Sequence, residues 1–385
     1  MPEPNLPQAL LKALKPRTAQ MLATLRRLVL AESPSLEKAP ADRCCRLLAQ
    51  EWRHRGARVE ILPQRHRGDH LRITWWKGAG KPAGQLLVLG HYDTVYASGT
   101  LKFMPFRVRV GKAYGPGIFD MKAGLVQALF ALQILKQLKV PLAKRVVVLW
   151  TSDEEIGSDT SRKLIEQEAR RSDTAFVLEP AFGPKGFLKT SRKGVGEAQL
   201  IVRGRAAHAG LAPQEGVNAI HELARQIARL ERWNDPRRGV SVNADIVEGG
   251  TRTNVIAEHA STALDLRAMT LGDMRRIEKQ LHALRPILPG AKIEIRGGFN
   301  RPPMERKMSA ELFARAKALG RQMGLSLGEC SAGGGSDGNF TAALGVPTLD
   351  GLGAIGDGAH SEREHIVISS LAPRAALLAA FIAAS

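Results

Sequence analysis

Residues 145–155 read RVVVLWTSDEE, in which an apolar run of valine, leucine and tryptophan passes without a break into a serine, an aspartate and two glutamates. A short apolar run rich in β-branched residues is the pattern of a strand buried on both faces of a sheet. Two further runs repeat the arrangement. Residues 85–90 (QLLVLG) stop immediately before His91 and Asp93, and residues 175–178 (AFVL) stop immediately before Glu179. Between the first two, Leu125, Leu129, Leu132, Leu135 and Leu138 recur at helical spacing, closed by Pro141, and residues 159–169 read as another helix. Strands alternating with helices predict an α/β domain with a mostly parallel sheet flanked by helices.

Working outward, residues 16–30 and 42–54 read as amphipathic helices, and 58–62 and 71–75 as short strands. The middle of the chain changes character. Residues 189–203, 240–247, 261–267 and 291–296 read as strands around helices at 217–232 and 272–284. That β-α-β-β-α-β order predicts a ferredoxin-like α+β domain inserted into the first. The expected boundaries are 1–185 and 299–385 for the α/β domain and 186–298 for the insertion, with the glycines at 333–335 and a last helix at 371–384 returning the chain to the first domain.

Composition narrows the function classes. Lys plus Arg number 56 against 37 Asp plus Glu, a net charge of +19, so the surface favours anionic partners. The basic residues are scattered and aromatics are only 5%, which argues against a nucleic-acid groove. No apolar run reaches the roughly 18–20 uninterrupted residues of a membrane span. The first 30 residues lack the compact apolar stretch and cleavage site of an export signal. Cys44, Cys45 and Cys330 fit neither a zinc-finger spacing nor a disulfide framework, so a reducing cytoplasm is the expected location.

His91, Asp93, Glu154, Glu155 and Glu179 all follow buried strands, and in an open parallel sheet such positions face one crevice. Asp120, beyond the loop Gly115-Pro116-Gly117 and at the start of the long helix, can reach it. Taken singly, each has an ordinary structural explanation. Together, so many acids and an imidazole in one place need neutralising, and bound divalent cations would do it. A His, Asp and Glu set without thiolate suits zinc, with cobalt or manganese as alternatives, and two ions about 3.5–4 Å apart can share one carboxylate, here Asp120. Of the adjacent acids, Glu155 is assigned to metal. Glu154 is assigned as the general base that takes a proton from a metal-activated water and hands it to the leaving nitrogen. Asp93 is expected to orient the His91 ring.

The segments HYDTV (91–95), GPGIFDMKAG (115–124), TSDEEIGS (151–158), LEP (178–180), GRAAHAG (204–210) and GGGSDGNF (333–340), in that order, resemble the two-metal exopeptidase family of glutamate carboxypeptidase (carboxypeptidase G), acetylornithine deacetylase, succinyl-diaminopimelate desuccinylase and aminoacylase. The resemblance is strongest to the glutamate carboxypeptidase branch, through HYDTVYASGTL and HAGLAPQEGVNA. It implies one cation held by His91 and Glu179, a second by Glu155 and His360, Asp120 bridging, Glu154 as base and a cis peptide after Asp120. It further implies that the inserted domain is a lid that forms a homodimer, that His208 reaches the partner's site to stabilise an oxyanion, and that Arg267, Arg301 and Asn254 hold the substrate carboxylate. The expected activity is hydrolysis of an amide bond in a small peptide or N-acyl amino acid. The alternatives are an acetylornithine-type deacetylase or, from another class, a non-catalytic basic nucleic-acid-binding protein.

Overall fold

The computed structural model describes residues 5–76 and 80–385; residues 1–4, the start of the stretch read as lacking an export signal, lie outside it. The chain divides into two compact units, one comprising residues 1–191, 306–331 and 336–385, the other 192–305 and 332–335.

The first unit is built on a six-stranded sheet whose strands lie in the order Arg58–Leu62, His70–Trp75, Arg145–Thr151, Gln85–His91, Thr174–Val177 and Thr348–Leu349. The first two pair antiparallel at one edge and the remaining four run parallel. All seven residues of Gln85–His91 are buried, as an apolar run covered on both faces must be. Helix Lys38–His54 sets Trp52 against Trp75 and Trp150 of the sheet, with both centroid distances 6.3 Å. Helix Ala123–Gln137 carries apolar residues on every side, and all of its residues but Gln133, Lys136 and Gln137 are buried, which places it inside the core. With the turn before it, Ile118–Gln137 is long and apolar enough to cross a membrane by length and composition, yet 89% of that window is buried in the protein.

A second, four-stranded sheet in this unit, in the order Gly356–Asp357, His365–Val367, Lys112–Tyr114 and Arg107–Arg109, was not expected from sequence. Strands of two or three residues are too short to show a period of two. The helix expected at 16–30 runs from Thr18 to Leu30, and a further helix, Leu6–Leu14, that was not expected precedes it across a 3₁₀ turn, Lys15–Arg17, that contains Pro16.

The second unit has the order strand Gly194–Arg203, helix Ala219–Glu231, strands Ser241–Gly249 and His259–Ala268, helix Leu271–His282 and strand Lys292–Arg301. Its strands pair antiparallel, with Gly194–Arg203 between His259–Ala268 and Lys292–Arg301 and Ser241–Gly249 at the outer edge, which is the ferredoxin-like arrangement. Both helices start on side-chain caps: the Asn218 carboxamide oxygen accepts from the N–H groups of Ile220 and His221, and the Thr270 hydroxyl from that of Asp273. Their apolar faces meet Leu200, Val202, Leu264 and Leu266 of the sheet. The glycines at 333–335 belong to this unit rather than returning the chain to the first, because residues 306–331 have already done so.

Candidate metal centre

Parallel pairing sets His91 opposite Thr151, so the loops after both strands open at the same end of the sheet, and Glu179 follows the neighbouring strand. His91, only 1% exposed, brings its Nε2 to 3.3 Å from Asp120 Oδ1 and 3.4 Å from Glu179 Oε1. On the other side of Asp120, His360 Nε2 lies 3.5 Å from its Oδ2 and 3.0 Å from Glu155 Oε2. One ligand atom from each of His91, Asp120 and Glu179 falls within 4.8 Å of the others, and the same holds for Asp120, Glu155 and His360. Ligands about 2.0–2.2 Å from a tetrahedral ion are about 3.3–3.6 Å apart, close to most of these separations. The donors are three carboxylates and two imidazoles, so the set fits two divalent cations sharing Asp120.

Electrostatics explain why these groups demand such a partner. Burial pushes the Glu155 carboxyl up to about 7, against the pull of His360 and with a further push from Asp120. Hydrogen bonds to Asp120 and Glu155 push His360 up to about 10. Burial works to lower His91, but Asp120, Asp93 and Glu179 raise it well above the ordinary histidine range. Carboxylates crowded in this way around two imidazoles are the arrangement that bound positive charge would relieve.

Local structure positions each group. Gly117 turns the chain with φ 67°, and the loop it opens delivers Asp120, whose peptide bond to Met121 is cis. That loop is gathered by a residue the sequence did not single out. The buried Glu364 carboxylate accepts hydrogen bonds from the N–H groups of Gly117 (3.0 Å), Phe119 (2.8 Å) and Asp120 (3.0 Å) and from the Tyr96 hydroxyl (2.8 Å). Burial pushes its carboxyl up, while the Asp120 N–H and the Tyr96 hydroxyl pull it back.

Asp93 touches more than the imidazole. Its Oδ1 lies 3.4 Å from His91 Nδ1, whose nearer neighbour is the Asp93 carbonyl at 3.1 Å. Its carboxylate also accepts from the Ser35 hydroxyl (2.7 Å) and from the N–H groups of Glu154 and Glu155, both at 3.3 Å, which fixes the turn carrying both glutamates. Glu154 is buried at the start of that turn and belongs to neither triad. Asp337, from the glycine-rich segment, accepts from the hydroxyls of Thr151 and Ser158 and braces the same turn.

Glu179 is held through its main chain. Its carbonyl accepts from Gly353 N–H at 2.9 Å, so closely that a Cβ on Gly353 would lie 2.7 Å from that oxygen. The loop carrying Gly353 is in turn clamped by Arg374, 3% exposed, whose guanidinium donates to the carbonyls of Gly353, Gly351 and Gly186. Among the described residues no carboxylate pairs with Arg374. Neither it nor Glu364 lies in a recognisable motif, because what each binds is main chain distant in sequence.

The remaining candidates belong to the second unit. His208 is exposed, and its Nδ1 accepts from the N–H groups of Gly210 and Leu211 at 3.2 and 3.1 Å, which leaves Nε2 as the protonated nitrogen of the neutral ring. The Arg267 guanidinium already grips Asp265 with contacts of 2.6–3.1 Å. Arg301 is buried, with Gly335 packed against its side chain. Asn254 is exposed and accepts from Ala209 N–H through its main-chain carbonyl.

The model of Peptidase family M20/M25/M40 matches residues 87–384. Carboxypeptidase G2 of Pseudomonas sp. (strain RS-16) is 34% identical over 308 residues, 78% of this chain and 74% of that protein. A succinyl-diaminopimelate desuccinylase of Paraburkholderia xenovorans (strain LB400) is 29% identical over 316 residues, 77% of this chain and 82% of the relative. The crystal structure of aminopeptidase PepT from Bacillus cereus ATCC 10987 shares the fold, with a TM-score of 0.78 at 24% identity over 95% of this chain and 98% of that one.

Proposed function

The chain belongs to peptidase family M20/M25/M40 and is a metal-dependent hydrolase of peptide or amide bonds, and on that premise we propose that it cleaves the amide bond of small peptides or N-acyl amino acids bearing a free carboxylate, in the manner of a glutamate carboxypeptidase. The observation that carries this reading is the sharing of Asp120 between two ligand triads, one with His91 and Glu179 and the other with Glu155 and His360. Zinc is the proposed metal, and cobalt or manganese would suit the same donors. Two cations held there would supply the positive charge that polarises the scissile carbonyl and acidifies the attacking water.

The chain's own residues do the rest. Glu154, buried beside the ligands and outside both triads, takes the proton from the water and passes it to the leaving nitrogen. Asp93 holds His91 and the glutamate turn in register. His208 donates from Nε2 to the developing oxyanion, contributed by the second copy of a homodimer; its two Nδ1 acceptor bonds support that tautomer. Arg301, Arg267 and Asn254 hold the substrate carboxylate, and a substrate on Arg267 would share the guanidinium with Asp265. The proposed location is the cytoplasm. Family membership removes the non-catalytic nucleic-acid reading.

A panel of N-acyl amino acids and dipeptides, assayed with zinc, cobalt and manganese, tests the activity, and Glu154→Gln tests the mechanism. The variant should keep its metal content and lose about 10²–10⁴-fold in kcat. Full turnover by Glu154→Gln would remove Glu154 as the base.

A further inference from the structure

A cavity of about 340 Å³ opens in the first unit, and neither Glu154 nor any of the proposed cation ligands lines it. Its wall combines the apolar side chains of Leu325, Leu327, Ile355 and Val367 with two cationic ones, Lys185 and Arg374. No aspartate or glutamate lines it. A concavity of this size, apolar with a few charged groups of one sign, has the make-up of a site for a small amphipathic anion.

Arg374 supplies the main reason. Its guanidinium is buried, and its three bonds to the carbonyls of Gly353, Gly186 and Gly351 use three of its five N–H groups. The other two, one on each terminal nitrogen, meet no acceptor among the described residues. Carbonyl dipoles orient a guanidinium but leave its charge in place, and a buried charge is best compensated by an opposite one. Burial pushes Arg374 down to about 10, with no acid pulling it back, so it remains charged near neutrality. Helix Leu371–Ala383 starts at the same wall with Pro373 and Arg374 in its first turn, and the positive end of its dipole adds to the field. Lys185 is exposed, and no ion pair or side-chain hydrogen bond engages its ammonium among the described residues. The Ser370 hydroxyl is already committed, donating to the Val367 carbonyl and accepting from Ile355 N–H.

We propose that this cavity binds a small organic monocarboxylate with an apolar body, its carboxylate received by Arg374 and Lys185 and its body lying against Leu325, Leu327, Ile355 and Val367. The site is separate from the candidate metal centre and does not depend on the amide-hydrolase reading. The carboxylate supplies the counter-charge that Arg374 lacks, and the apolar wall demands a ligand larger than the charged group alone.

The test titrates the metal-loaded protein with three probes followed by saturation-transfer NMR: hexanoate, hexanamide, which keeps the body and removes the charge, and acetate, which keeps the charge and removes the body. Hexanoate should bind at least about tenfold more tightly than either, since the amide loses a charge-assisted contact and acetate loses four methylenes of apolar burial. Because Arg374 also clamps the Gly353 loop, replacing it confounds binding with folding, so the charge is tested at two exposed positions of the wall instead. Lys185→Glu and Ser326→Glu should each weaken hexanoate about tenfold at low ionic strength and leave hexanamide within about twofold. Hexanamide or acetate binding as tightly as hexanoate overturns the proposal. So does an affinity for hexanoate that neither substitution moves, and if chelation then abolishes that binding, the carboxylate sits on the cations and not in this cavity.

Discussion

Glu364 organises the loop that carries Asp120, and its replacement should separate positioning of the metal centre from its chemistry. In Glu364→Gln one carboxylate oxygen becomes an NH₂ group. The remaining oxygen can still receive Phe119 and Asp120 N–H, and the Tyr96 hydroxyl can turn to donate to Ser361 O and accept from the new amide. Only Gly117 N–H loses its acceptor, a cost of about 1–3 kcal/mol for one buried donor. Glu364→Ala orphans all three N–H groups, which sums to about 3–9 kcal/mol, toward the lower end where water enters the vacated space. At about 2–4 °C per kcal/mol the glutamine variant should lower Tm by about 2–12 °C. The alanine variant should fall further. Every 1.4 kcal/mol of this that falls on the placement of Asp120 weakens cation affinity about tenfold. Calorimetric melting and competition with a chromophoric chelator measure the two quantities. A Glu364→Ala protein with unchanged Tm and unchanged affinity would refute the claim that this carboxylate holds the loop.

Other perturbations follow from the same geometry. His360 and Glu155, raised to about 10 and about 7, both hold protons near neutrality, so cation uptake should release protons and apparent affinity should climb with pH; titration calorimetry in buffers of differing ionisation enthalpy detects the release, and pH-independent uptake would contradict it. Gly353→Ala should destabilise the first unit and cost metal at equilibrium, because its Cβ meets the Glu179 carbonyl at 2.7 Å; emission spectrometry of the dialysed variant would read two ions per chain if the clash were harmless. In the second unit burial pushes Asp273 up, but Thr270, Arg276 and Arg238 outweigh it and hold the carboxyl below its ordinary range. A depressed carboxyl contributes stability that is complete above the unfolded value of about 3.9 and is lost as pH falls through the folded one. Urea midpoints between pH 2 and 6 should therefore fall less steeply with acid in Asp273→Asn than in the parent, and parallel curves would count against the assignment.

The parallel sheet was legible because each central strand is a bare apolar run, and a residue directly after such a run has only one crevice to face. That is why His91, Glu155 and Glu179 could be placed from the runs at 85–90, 145–150 and 175–178. His360 was different. It sits at φ 60° in an exposed turn beside strands of two and three residues, where no periodicity exists to be read, and only family resemblance singled it out. Glu364 and Arg374 escaped notice for a physical reason: one binds N–H groups and the other carbonyls, and main-chain partners leave no mark on residue identity. The division of the chain was blurred where strand Leu188–Arg192 ends the first unit and strand Gly194–Arg203 begins the second, because the sequence across them reads as one continuous run.

The two histidines of the proposed centre live in unequal surroundings, His91 sealed at 1% exposure and His360 with half its side chain in solvent. Water can compete for the outer position and hardly at all for the inner one, so exchange of the two ions should be staggered in time.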